Sequence, residues 1–120
     1  MKLTIPPIYE ENIIGFAQQK GDCIFEYLDK GNLFRIVFTK VYAFDFVEFD
    51  YMKETDWQFG LELQENPAYL QQMMQGMSKE IAQKAFGGEY DKMQQYKLVI
   101  DDVGSYNIVC KGINAGYAEA

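Results

Sequence analysis

The chain has 120 residues, 48% of them hydrophobic and 16% aromatic, with no histidine and a formal net charge of −7. That length suits one domain, and the apolar content is enough to build a core and excludes a disordered chain. The charge disfavours nucleic acid and favours a basic partner, while also serving solubility; the missing histidine removes His-dependent triads and imidazole metal sites.

In chain order, Lys2 to Ile5 reads as a short strand ended by Pro6-Pro7, because proline has no amide to give a ladder. The stretch through Gln19 reads as irregular or briefly helical. Gly21-Asp22 then opens the apolar and aromatic run CIFEYLD, and Asp29-Lys30-Gly31-Asn32 supplies the residues of a chain reversal, so a first hairpin is expected. The segment LFRIVFTKVYAFDFVEFDYM puts Phe34, Ile36 and Phe38 on one face, and Tyr42, Phe44 and Phe46 on one face, at the strand period of two. It is too long for one ordinary strand, so a bend, bulge or tight turn is expected near Thr39-Lys40. WQFGLEL repeats the alternation through Trp57, Phe59, Leu61 and Leu63.

Asn66-Pro67 looks like a helix start, with a capping side chain followed by a proline at the first helical position. Leu70, Met73, Met74, Met77 and Ile81 recur at three- and four-residue spacing, predicting a helix over about 67–86 that buries this stripe and stops at Gly87-Gly88. Such a stripe serves either as core or, being rich in methionine, as an adaptable binding surface. Near the C-terminus Leu98 and Ile100, then Tyr106, Ile108 and Cys110, alternate with their neighbours, giving two strands joined at Asp102-Val103-Gly104-Ser105. The resulting fold class is α+β in one domain: a mainly antiparallel sheet packed against one principal helix, closed by a hairpin.

Cys23 and Cys110 are too far apart in sequence for a CxxC redox or zinc pair and read as buried free thiols. The opening MKLTIPPIYEEN lacks the apolar run of a secretory signal, and no segment approaches the ~20 apolar residues of a membrane span. A cytoplasmic protein with reduced thiols and no membrane partner is expected. Neither a phosphate-cradling GxxxxGK[ST] nor a GxGxxG is present, so no cofactor is expected, and no metal-ligand motif occurs.

Carboxylates are the chemistry that remains, in three groups: Glu10 with Glu11; Asp45, Glu48 and Asp50; and Asp101 with Asp102. Paired acids can catalyse glycoside hydrolysis or hold a divalent ion, but sequence neighbours on a strand point to opposite faces, and an aspartate before Val-Gly is an ordinary turn residue. Asp45 lies among aromatics, on the face opposite Phe44 and Phe46, whereas Glu48 by the same count shares the aromatic face. Tyr42, Asp45, Glu48, Asp50 and Tyr51 form a candidate acidic, aromatic-rimmed patch for a basic protein, with Asp101 and Asp102 as further contacts. The alternatives are a solvated face, a carboxylate-based enzyme in which Asp45, Asp101 and Asp102 meet across the sheet, or a subunit that dimerises through an edge strand.

The aromatic strand with Val41 to Phe44, its acidic tail, and the terminal hairpin YKLVIDDVGSYNI together resemble the small bacterial immunity proteins encoded beside polymorphic toxins. The resemblance covers about two thirds of the chain and consists mostly of structural patterns. It implies an intracellular binding protein that blocks a toxin domain by covering its active site or an adjacent surface. No functional residue carries over with it. Separately from the resemblance, a monomer or weak homodimer is expected.

Overall fold

The computed structural model describes residues 2–52, 59–64, 75, 78, 80, 81, 84 and 93–118. Their strands are β1 (Lys2–Leu3), β2 (Ile13–Gln19), β3 (Asp22–Asp29), β4 (Asn32–Thr39), β5 (Ala43–Glu48), β6 (Gly60–Leu63), β7 (Gln94–Ile100), β8 (Gly104–Cys110) and β9 (Gly112–Tyr117). They form a five-stranded sheet in the order β1-β6-β7-β8-β5 and a four-stranded sheet in the order β2-β3-β4-β9. Every pairing among them is antiparallel.

Local chemistry explains the first meander. Lys20-Gly21 and Lys30-Gly31 both have positive φ, at 50° and 86° and at 51° and 83°. Successive left-handed residues make the two-residue turn whose twist matches that of paired strands. Cys23, Phe25 and Tyr27 on β3 then fall on one face with Phe34, Ile36 and Phe38 on β4, all six buried. They pack against Leu61, Tyr96, Leu98, Ile100, Ile108 and Cys110 of the five-stranded sheet. Burying each large apolar side chain here contributes about 2 kcal/mol.

The long aromatic segment is two strands in different sheets. The chain bends at Lys40, whose φ is 49°, and leaves β4 for β5. Its antiparallel companion makes the same crossing between β8 and β9. Hydrogen bonds continue through both corners, from the Lys111 amide to the Thr39 carbonyl and from the Tyr42 amide to the Val109 carbonyl. A single bent ribbon therefore belongs to both sheets, which is how strands turn the corner of a two-sheet packing. Asp22 holds the bend by accepting from the Lys40 amide at 3.0 Å.

The α+β assignment is corrected by this arrangement. Strands account for 62% of the described residues, and among them no helix reaches seven residues. The inner face of the five-stranded sheet is covered by the aromatic face of the other sheet, where a principal helix was expected. Most of the 67–86 span lies outside the described residues. Glu80, Ile81 and Lys84 have helical backbone, but Ile81, assigned to the buried stripe, is 57% exposed. Residues 13–19, read as irregular, are strand β2, and β9 adds a strand beyond the expected terminal hairpin. Of the WQFGLEL strand, Gly60–Leu63 is confirmed and Trp57 lies outside the described residues.

The centre of the five-stranded sheet is buried on both faces. Gln95, Val99, Ser105 and Val109 alternate with the core residues of β7 and β8 and are buried as well. Between them runs a polar row, Lys2, Glu62, Lys97, Asn107 and Asp45, one residue from each strand in register.

Candidate functional site

β5 is the terminal strand of its sheet among the described residues, paired with β8 on one side only. Its register sets Asp45 opposite Asn107, Phe44 opposite Ile108, Phe46 opposite Tyr106 and Glu48 opposite Gly104. Asp45 therefore lies on the face away from the core, as alternation predicts. Phe44 and Phe46 turn toward the core side yet remain 46% and 40% exposed.

Their exposure follows from the sheet edges. Across the gap the other sheet offers only its own terminal strand β2, and Phe16 is the β2 ring that reaches over. Phe16 stacks on Tyr106 with centroids 5.3 Å apart and planes 6° apart, and lies 6.1 Å from Phe44. Phe46 lies 4.7 Å from Tyr106. The two edges thus meet in an aromatic seam that is closed below and open to solvent above. Burial holds the Tyr106 phenol above its ordinary range.

The predicted patch residues do not gather at one point. Tyr42 stands at the ribbon corner, Asp45 at mid-strand, and Asp50 and Tyr51 in a 3₁₀ turn, Phe49–Tyr51, that follows β5. Tyr51 is 79% exposed. The Phe49 amide donates to the Val103 carbonyl, which draws this turn beside the β7–β8 connection holding Asp101 and Asp102. Glu48, Asp50, Asp101 and Asp102 consequently share one end of the sheet, all exposed. The whole strip, following a strand of six residues, runs roughly 20 Å.

Asp45 sits opposite Asn107 while Asp101 and Asp102 occupy the turn before Gly104, so the structure does not bring these three carboxylates together across the sheet. Among the described residues no group of three or more Cys, Asp and Glu is placed to hold a metal ion, and no helix is long and apolar enough to cross a membrane. Both cysteines are buried and unpaired. Desolvation raises the Cys23 thiol, and it pushes the Cys110 thiol up to about 12.

Sequence reasoning missed the exposure of Phe44 and Phe46 and the part played by Phe16. Alternation identifies the face of a residue, but only strand order shows that the face lies at an edge. A scan of protein-family models, a search of curated proteins and a search of solved structures find no match to this chain.

Proposed function

We propose that this protein is a binding domain that receives a basic protein along β5, acting as an immunity-type inhibitor that covers its partner's surface. The observation that carries this reading is the coincidence, on one strand, of a backbone edge that no described strand covers, an open aromatic seam and an acidic flank. Each has its own role in recognition. A free edge accepts a partner strand through main-chain hydrogen bonds. Phe44 and Phe46, half-exposed over Phe16 and Tyr106, supply aromatic anchors in a preformed seam. Asp45, Glu48 and Asp50, reinforced by Asp101 and Asp102 and a net charge of −7, steer a cationic surface into place.

A cytoplasmic location belongs to the same reading, since an inhibitor of this kind meets its target inside the cell, where buried thiols stay reduced. The test compares the wild type with the triple variant Asp45→Lys, Glu48→Lys, Asp50→Lys for capture of a basic protein from lysate of the source organism, at low and high salt. Capture by the wild type, lost on adding salt and lost in the folded variant, is the expected result. Undiminished capture by the variant rejects the acidic flank as the docking determinant.

A further inference from the structure

An open, shallow cavity of about 850 Å³ lies at the tip of the β3–β4 hairpin, far in sequence from β5 and lined by none of its residues. Its walls are the Pro6-Pro7 segment, Tyr9, the turn residues Asp29 and Lys30, and the rings of Phe34 and Tyr117. Small-molecule pockets span roughly 300–1,000 Å³, so the size admits a compact organic ligand.

The walls are held from behind. The Tyr27 hydroxyl donates to the Pro6 carbonyl at 2.8 Å, and the Asn12 amide group donates to the Leu28 carbonyl at 2.7 Å. Asn12 Oδ1 accepts from the Tyr9 amide at 2.7 Å, which ties the N-terminal segment to β3 through one side chain. Phe34 and Tyr117 meet at 83° with centroids 5.1 Å apart, so the buried Phe34 ring props the exposed Tyr117 ring at right angles beside the cavity. The Tyr117 hydroxyl donates to Asp29 Oδ2 at 2.6 Å, which fixes both the ring and the carboxylate beside it. Asp29 carries no ion pair among the described residues.

We propose that this cavity binds a small zwitterionic alkylammonium compound, its substituted ammonium lodged against Asp29 and the exposed ring of Tyr117, with buried Phe34 behind that ring, and its anionic group at Lys30. Ring faces attract a cation through their quadrupole, and alkylated ammonium suits an aromatic ring because it is weakly hydrated and offers apolar surface. The carboxylate adds a full charge at the same point, and its bond to Tyr117 leaves Oδ1 for the ligand. Lys30 lines the same cavity on the exposed turn and gives the anionic end of the ligand its partner.

Glycine betaine is the probe, titrated against the isotope-labelled protein by NMR with choline as the companion lacking the anionic group. Saturable shifts confined to the Asp29, Phe34 and Tyr117 neighbourhood are expected, weaker for choline. Asp29→Asn, which keeps an acceptor for the Tyr117 hydroxyl, should weaken betaine binding about tenfold or more, as should Tyr117→Ala. Tyr117→Phe retains the ring but removes the hydroxyl that fixes it and Asp29, so its binding should fall between wild type and Tyr117→Ala, while the dispersed amide spectrum of each variant separates misfolding from a loss of recognition. Lys30→Ala should bring betaine down to the level of choline. Absence of saturable shifts at the cavity, or betaine binding undiminished in folded Asp29→Asn, overturns the proposal.

Discussion

Gly104 opens β8 with a φ of 149°, and a Cβ there would strike the carbonyl oxygen of Val47 and the ring of Phe46. The clash is with backbone as well as with a ring pinned on Tyr106, so neither neighbour yields easily. Gly104→Ala should cost about 2 kcal/mol or more through overpacking and a disfavoured backbone. A urea midpoint unchanged from wild type would refute that account. Cys110 gives a second prediction at this scale. Its folded thiol is pushed up to about 12 from an ordinary 9.0, chiefly by desolvation. A raised folded value means the folded state keeps a proton that the unfolded chain gives up, so stability is full below about pH 9 and falls as pH rises toward 12. Each pH unit in that window removes on the order of 1 kcal/mol, and the raised phenols of Tyr27, Tyr96 and Tyr106 add to the loss in its upper part. Thermal melts from pH 8 to 11 should slope downward, and Cys110→Ala should flatten the slope; equal slopes would reject the thiol as a source.

Hairpin turns show at the element scale why some of the fold was legible and some was not. Lys20 takes φ 50° at the first position of its turn, a conformation that a lysine side chain disfavours and asparagine tolerates. Lys20→Asn should therefore stabilise by about 0.5 kcal/mol, read as a rise in melting temperature, and a fall would contradict the turn assignment. The lysine-glycine and aspartate-rich turns, with strict alternation beside them, made β3, β4, β7 and β8 readable, because both signals are local. β2 was not readable: Gly15, the polar Gln18-Gln19 end and a register shift between Ile13 and Gly15 break its alternation. Strand order was hidden for another reason. β1 pairs with β6, β4 with β9 and β5 with β8, and these partners meet only after long stretches of intervening chain. The same distance hid the hairpin cavity, where Asp29 and Tyr117, 88 residues apart, share a hydrogen bond. The helical reading rested on periodicity at 70–81 together with the premise that the sheet needed a helix to cover it. The aromatic face of one sheet and the largely aliphatic inner face of the other meet that need by covering each other.

At the scale of the whole molecule, β5, terminal among the described strands, invites a second copy as readily as a different partner. Twofold pairing of β5 with another β5 would extend the sheet with the same face outward, bringing Asp45 near its own copy. Glu48 and Asp50 would join the repulsion, between molecules that each carry −7. Inward and edge charges are a known defence against such edge-to-edge association, and like charges across paired strands are destabilising. The acids of β5 thus serve specificity twice, repelling the identical chain and drawing in a basic one. The protein should sediment as a monomer at low salt. Replacing Asp45, Glu48 and Asp50 together with Asn, Gln and Asn keeps the side-chain shapes while removing that repulsion. The neutral variant should then associate with rising concentration through the exposed Phe44 and Phe46, and a further Phe44→Ser change should reverse this. Sedimentation velocity over a hundredfold concentration range decides the matter: a neutral variant as strictly monomeric as the wild type would mean that charge is not what keeps this edge free.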